Sequence, residues 1–240
     1  MSDYVKNYQS ASYDVATDTS TVFAVLMRKV YVWMTLALAV SGLVAYYVAG
    51  NESIMYTIFA NRAVFWILVI AEFGLVIGLT AAINKLSFPV AAIMFLVYSI
   101  INGVLLSSIF VVYEIGSIGT TFLVTAGTFA AMAVIGTITK KDLTKMGSIL
   151  LMALIGIIIA TIVNIFLKNS TMDIVISALG VLIFTGLTAY DAQKIKLMAE
   201  SADAVDNTTQ KLAVLGALSL YLDFINLFLY LLRFLGKARN

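Results

Sequence analysis

Seven stretches of the chain are long enough and apolar enough to cross a lipid bilayer. About 20 helical residues span a hydrocarbon core of about 30 Å, and five stretches carry no charged residue: 30–51, 86–113, 115–139, 146–167 and 174–190. Two more, 63–84 and 212–232, contain one acid each. The apolar runs are continuous and lack the period of two expected of strands in a membrane barrel. The sequence therefore predicts an all-α integral membrane protein with seven transmembrane helices.

Composition narrows the chemistry that such a bundle can perform. With 62% hydrophobic and 12% charged residues, the chain has too little polar surface to cover a soluble globule. It contains no cysteine and no histidine, which excludes thiol nucleophiles, disulfides, imidazole bases and the usual zinc sites. A net charge of +2 gives no indication of nucleic-acid binding. Carboxylates, lysines, hydroxyls and amides are left to carry any function.

The membrane domain is predicted to occupy residues 28–236, with a short C-terminal tail at 237–240. Residues 1–27 are rich in polar side chains and have no basic segment leading into a short apolar run. This pattern predicts a flexible polar tail and not a cleavable signal peptide. The first span is then expected to act as the targeting signal.

The distribution of basic residues predicts a cytoplasmic N-terminus, because lysine and arginine accumulate on the cytoplasmic side of membrane proteins. Outer segments would hold five: Arg62, Lys168, Arg233, Lys237 and Arg239. Inner segments would hold ten: Lys6, Arg28, Lys29, Lys85, Lys140, Lys141, Lys145, Lys194, Lys196 and Lys211. We expect the last helix to cross the membrane fully. The alternative is a re-entrant helix, which would return the C-terminal basic residues to the cytoplasmic side and so increase the excess of basic residues there.

Small residues at helical spacing predict where helices approach closely. Gly74 and Gly78 form a GxxxG in the second span, and Ser99, Gly103 and Ser107 recur every four residues in the third. Both patterns are interpreted as packing seams. Asn102, beside the second seam, is a candidate for a hydrogen bond across the bundle.

Two acids, Asp191 and Asp223, lie in the last two spans. An ionised side chain near the bilayer centre costs about 2.5–3.5 kcal/mol on insertion scales, so such an acid indicates a functional site. Asp223 also belongs to a polar stripe on one face of the last helix, and this stripe is expected to face the bundle interior or a water-filled cavity. A polar seam against a neighbouring helix is the alternative. The stripe comprises Gly216, Ser219, Asp223, Asn226, Tyr230 and Arg233.

The connection at 196–211 is short, so the last two helices are expected to be antiparallel neighbours that bring Asp191 opposite Asp223. In a site with little water, repulsion and desolvation oppose ionisation of both groups, and the pair would share a proton. Such a pair would sense pH. It would also accept calcium weakly, because carboxylate oxygens suit this ion but two are too few for tight binding. The alternative for Asp191 alone is a solvated charge at the helix end, paired with Lys194.

The last two spans carry motifs that match a known family. Residues 184–195 (FTGLTAYDAQKI) and 216–236 (GALSLYLDFINLFLYLLRFLG) closely resemble the signatures of the Bax inhibitor-1 family, also called the transmembrane Bax inhibitor motif family. The loop at 140–143 (KKDL) agrees with this pattern. The resemblance covers about 23–236, and the chain looks like a bacterial member, similar to inner-membrane proteins of that family.

The resemblance implies six helices around a central seventh and a pH-dependent calcium leak, with no enzymatic activity and no cofactor other than the transported ion. It implies that Asp191 and Asp223 are the proton-sensing pair, and that Glu72 stands where a studied bacterial relative has a second-helix acid. That relative also has an arginine latch, where this chain has Lys85 as a more flexible substitute. Further candidates for the pathway are Asn102, Ser219 and Asn226.

Other functions remain open at this stage. An intramembrane aspartyl protease also uses two acids on adjacent helices, but it needs Gly-x-Gly-Asp where this chain has Leu-Tyr-Leu-Asp at 220–223. A cation/proton exchanger could use the same carboxyl pair. A regulatory partner of a membrane-bound quality-control protease would need no ion flux, and the polar N-terminal segment could serve as its binding element.

Overall fold

The structure, a computed structural model, describes residues 2–202 and 206–239, with side chains described from Thr21 onward. These ranges form nine helices: α1 (Ser2–Ala49), α2 (Glu52–Phe59), α3 (Arg62–Ala82), α4 (Phe88–Leu106), α5 (Ile109–Val112), α6 (Ile115–Ile138), α7 (Thr144–Leu167), α8 (Ser170–Glu200) and α9 (Asn207–Leu235). Seven helical segments are long and apolar enough to cross a membrane: Thr21–Ala49, α3, Phe88–Val112, α6, α7, α8 and α9. The predicted all-α membrane fold with seven spans is confirmed.

The helices begin and end where the sequence offers capping groups. Asn51, Asn61 and Asn169 accept backbone hydrogen bonds at the starts of α2, α3 and α8, and Pro89 lies in the first turn of α4, where its missing amide hydrogen does little harm. Asp206 forms a capping box at the start of α9, which lowers its pKa because backbone amides donate to its ionised form.

α9 is the central helix of the bundle. It packs against α1, α4, α6 and α8, and its side chains include Leu220, Tyr221 and Leu227, which are completely buried. α3 and α7 lie further out: within the bundle, α3 packs mainly against α4, and α7 packs mainly against α8. A helix that is apolar on most of its circumference, as α9 is, belongs inside the bundle.

α9 also runs the full height of the bundle. Near its start, Lys211 Nζ donates to the carbonyl oxygen of Asn84, in the turn between α3 and α4. Beyond its other end, the Glu114 amide donates to the carbonyl oxygen of Lys237 at 3.0 Å, at the opposite end of α4 and α5. We call the end of the bundle near Lys211 the lysine-rich end; it includes the turns at 83–87 and 139–143 and the α8–α9 connection. We call the opposite end, near Lys237, the C-terminal end.

The two predicted packing seams have different outcomes. A Cβ atom added at Gly103 would lie 2.6 Å from the carbonyl oxygen of Ser41, so α1 and α4 touch at this seam as predicted. In the other seam, an added Cβ at Gly78 would lie 3.5 Å from Met94 of α4, so this residue contacts α4, but one at Gly74 would have no atom within 4 Å. The prediction of a close approach at Gly74 is therefore wrong for contacts within the described chain, because α3 is an outer helix that turns only one side toward α4.

The predicted flexible tail at 1–27 lies mostly outside the residues whose side chains are described, and it stays a prediction. The same applies to Asn240 in the predicted C-terminal tail. Residues 237–239 lie against the start of α6, where the Lys237 amide donates to Ser117 Oγ at 2.9 Å.

Candidate functional site: an aspartate pair between the last two helices

The polar stripe of α9 faces α8 along its length. An added Cβ at Gly216 would lie 3.1 Å from a side-chain atom of Ile195, and one at Gly180 would lie 2.5 Å from the ring of Tyr230. The Tyr230 ring also stacks on Phe184 of α8, with 5.8 Å between ring centroids. The two helices are thus antiparallel neighbours, as predicted, and small residues on each accept large side chains of the other.

Asp191 of α8 and Asp223 of α9 meet at this seam. Their carboxyl groups are close enough to interact with each other, and a hydrogen bond between two carboxyls would require a proton on one of them. Asp223 is only 4% exposed, whereas Asp191 is partly exposed. Among the buried side-chain oxygens and nitrogens that the structure describes, only Oδ2 of Asp223 has no hydrogen-bond partner. The pair therefore has one wetter and one drier member.

The register between the helices explains part of how the two acids come near the same depth. Ile195 lies against Gly216, so the end of α8 at Glu200 is level with the second turn of α9. The first turn of α9 extends beyond α8 toward the lysine-rich end. This extension offsets about half of the difference in residue number between the two acids and their helix ends. The direction of the side chains supplies the rest, because each points toward the N-terminus of its own helix and so, in antiparallel helices, toward the other.

The residues after Asp191 connect the pair to the lysine-rich end. Lys194, three residues further along α8, interacts electrostatically with Asp191. Gln193 holds the loop at 139–143: its Oε1 accepts from the Leu143 amide at 2.8 Å, and its Nε2 donates to the Lys141 carbonyl oxygen at 2.8 Å. Gln193 and this loop both belong to the quoted motifs, but nothing in the sequence indicates that they bind each other.

The remaining predicted site residues are more scattered. Lys85 is exposed at the lysine-rich end, and within the described residues its side chain makes no hydrogen bond or ion pair with either aspartate. Asn226 Nδ2 donates to the Leu222 carbonyl oxygen of its own helix at 2.8 Å. Ser219 is half-buried on the same stripe. Their roles in a pathway stay predictions.

Glu72 lies in a second polar cluster, on another side of α9. Asn102 donates through Nδ2 to Glu72 and accepts through Oδ1 from the Tyr221 hydroxyl at 2.9 Å. The Tyr221 hydroxyl also lies 2.6 Å from Ser41 Oγ, which donates to the carbonyl oxygen of Ser99. The predicted hydrogen bond of Asn102 across the bundle is confirmed, and the cluster joins α1, α3, α4 and α9. Ser41 and Tyr221 were missed because neither lies on the polar stripe.

The two acidic sites do not merge into a larger carboxylate cluster. In the part of the chain that the structure describes, no three residues of the types Asp, Glu, His or Cys lie together as a metal site would require. Any calcium at Asp191 and Asp223 would therefore be held by two carboxyl groups and by water. Such a site has few protein ligands compared with the six to eight oxygens that calcium takes.

Comparison with known proteins gives the family. A family model described as "Inhibitor of apoptosis-promoting Bax1" matches residues 24–240. The chain belongs to the Bax inhibitor-1 family. It is 49% identical over 214 residues to the inner membrane protein YbhL of Escherichia coli K12, covering 89% of this chain and 92% of the relative. It is 50% identical over 214 residues to an uncharacterized protein of Borreliella burgdorferi, with the same coverage, and 39% identical to one of Rickettsia prowazekii over the full length of both chains.

Membership of the Bax inhibitor-1 family fits both the motifs and the seven spans. The name of the Escherichia coli relative and the seven spans support a multi-pass location in the bacterial inner membrane. None of the names of these relatives indicates catalysis.

Proposed function

We propose that this Bax inhibitor-1 family member is a pH-sensitive calcium leak channel in which Asp191 and Asp223 hold either a shared proton or a passing cation. The observation that carries the proposal is that two carboxyl groups from adjacent spans interact with each other, and that Oδ2 of Asp223 is buried without a hydrogen-bond partner. An intramembrane acid of this kind marks an ion or proton pathway. Weak binding by two carboxyls suits passage, since an ion that binds tightly leaves slowly.

Access to the pair differs between the two ends of the bundle. Asp191 is partly exposed, whereas Asp223 is buried. An open cavity of about 310 Å³ lies nearby at the lysine-rich end, beside Tyr190, Gln193 and Lys194, but neither aspartate lines it. Toward the C-terminal end, the stacked rings of Phe184 and Tyr230 fill the seam between α8 and α9. In the proposed channel this would be a closed state, and conduction would require these rings to separate.

The first test is calcium entry into liposomes that contain the purified protein. Protons and calcium compete for the same carboxyl oxygens, so we expect passive calcium entry down its gradient to be several-fold faster at about pH 8 than at about pH 6. Protein-free liposomes measure the background. Equal entry at both pH values, above that background, would contradict the proton-sensing part of the proposal.

The same liposomes separate the leak from two other functions. Stoichiometric proton movement against calcium would indicate a cation/proton exchanger, which the same pair of carboxyls could also support. No flux under any condition would leave a regulatory role, such as binding to a membrane-bound protease. We propose that the protein is not an enzyme. We also propose that its N-terminus is cytoplasmic, because nine of the described basic residues lie near the lysine-rich end and five near the C-terminal end.

Replacing Lys85 and Lys194 tests which cation acts on the pair. If Lys85 substitutes for an arginine latch, Lys85→Ala should shift the midpoint of the pH dependence of calcium entry. Loss of a nearby positive charge favours the protonated pair, so the midpoint should rise by about 0.2–0.7 of a pH unit. Lys194→Ala is the matched comparison, because Lys194 already interacts with Asp191. A midpoint unchanged by Lys85→Ala but raised by Lys194→Ala would assign the role to Lys194 and count against Lys85.

A further inference from the structure

An apolar groove opens between α1 and α6 in the half of the bundle nearer the C-terminal end. It has a volume of about 210 Å³ and is bordered by Leu38 and Ala45 of α1, Phe122 of α6, and Phe224 and Phe228 of α9. This volume exceeds that of the apolar cavities of about 150 Å³ known to accept benzene. The groove thus has room for a slender hydrocarbon, and its back wall is the central helix.

A second and more polar cavity of about 790 Å³ follows the groove toward the C-terminal end. The two cavities share Phe110 as a wall. They also follow one another along α1, since the groove borders residues 38–45 and the second cavity borders residues 43–51. Together they extend about 20 Å along the axis of α1. This is longer than the hydrocarbon part of one leaflet, which is half of a core of about 30 Å.

The rim of the second cavity has the chemistry of a membrane surface. Tyr46 and Tyr47 line it and are largely exposed, as is typical of tyrosines at the headgroup level. Arg239 lines it as well. Its Nη1 donates to the Phe110 carbonyl oxygen at 3.2 Å, and its backbone amide donates to Val112, which fixes the guanidinium at the rim. A guanidinium has five N–H donors and pairs well with phosphate.

We propose that this composite groove binds one phospholipid molecule with an anionic headgroup, its acyl chain between α1 and α6 and its phosphate at Arg239. The apolar groove, at the depth of the hydrocarbon core, matches the acyl chain of such a lipid. The cation at the rim matches its anionic headgroup. The bound chain would contact Phe224, the neighbour of Asp223, and so would support the central helix from the side opposite α8. The lipid site is independent of whether the protein conducts calcium.

Two glycines make a sharp test available. Gly42 of α1 and Gly119 of α6 both line the groove, and a Cβ added at either would have no atom within 4 Å. Gly42→Leu and Gly119→Leu should therefore fill the groove without a clash, and leucine is a better helix former than glycine. Gly127 of α6 is equally open but does not line the groove, so Gly127→Leu is the matched control.

The probe is phosphatidylglycerol with a photoactivatable group in one acyl chain, incorporated into nanodiscs with each variant. Mass spectrometry of the cross-linked peptides then measures labelling of residues 38–45 and 118–122. Displacing about two methylene groups of the chain should lower this labelling about tenfold in Gly42→Leu and Gly119→Leu. Gly127→Leu should keep the wild-type yield, and Arg239→Gln should lower it a few-fold. Thermal unfolding of each variant verifies that it is folded.

Equal labelling of the groove in the wild type, both groove-filling variants and the control would overturn the proposal, since it would show ordinary contact with the surrounding lipid only. A labelling loss in Gly127→Leu as large as in the groove-filling variants would overturn it as well. If labelling falls in the filled variants but is unaffected by Arg239→Gln, the acyl-chain site holds and the assignment of the phosphate to Arg239 is wrong.

Discussion

Asp223→Asn is expected to abolish the pH dependence of calcium entry and to lower the entry rate at about pH 8 by about tenfold or more. Asparagine has nearly the same shape as aspartate but does not ionise, so one of the two negative charges that attract calcium is lost. Asp223 is the buried member of the pair. Flux in liposomes as a function of pH is the measurement, with the amount of protein inserted determined for each variant.

Asp191→Asn should have the same qualitative effect, because the shared proton belongs to both groups. The matched control is Glu72→Gln, which removes an intramembrane acid outside the pair and retains an oxygen that can accept from Asn102. Glu72→Gln should keep the pH dependence. Wild-type pH dependence in both aspartate variants would rule out the pair as the sensor, and a loss only in Glu72→Gln would move the sensor to the second cluster.

The sequence was sufficient to predict the parts of the fold that depend on lipid as a solvent. Long apolar runs can only be helices there, because every backbone group must be satisfied within the segment. The same physical constraint places Asp223 and its stripe inside the bundle, since a carboxyl facing lipid tails would have no partner. The short connection between α8 and α9 then brings Asp191 to the same seam. The structure agrees on each of these points.

What the sequence could not supply is which helix faces which. Gly74 and Gly103 occur in similar small-residue patterns, yet only Gly103 touches another helix. The difference is that α4 packs on α1 and α9, whereas α3 lies outside. The hydrogen bonds between Gln193 and the loop at 139–143 could not be predicted from the sequence either. They join residues about 50 positions apart, whose proximity depends on how α6, α7 and α8 pack together.

The two polar clusters lie on nearly opposite sides of α9. Asp223 faces α8, while Tyr221 faces Asn102 and Ser41, and two residues of separation correspond to about 200° around a helix. Each cluster therefore fixes the rotation of α9 from its own side. A turn of this helix that separates Asp223 from Asp191 would also strain the hydrogen bonds of Tyr221. The Tyr221 cluster is thus placed to resist rotation of the helix that carries the proposed sensor.

Gly136→Ala is expected to lower the melting temperature by about 5–10 °C. A Cβ added at Gly136 would lie 2.1 Å from the carbonyl oxygen of Ala189, so α6 and α8 would have to move apart. Backbone atoms cannot rotate away as the end of a side chain can, and overpacking of this kind costs about 1–3 kcal/mol or more. In a chain of this size each kcal/mol corresponds to about 2–4 °C. The measurement is thermal unfolding in detergent.

Gly127→Ala is the control in the same helix, because a Cβ there meets no atom within 4 Å. Its melting temperature should stay the same or rise slightly, since alanine is the better helix former. Equal melting temperatures for both variants would show that α6 and α8 are not held in contact at Gly136. Ala189 lies two residues before Asp191, so the separation forced by Gly136→Ala should also displace the carboxyl pair. The variant is therefore expected to shift the pH midpoint of calcium entry, which Gly127→Ala should leave unchanged.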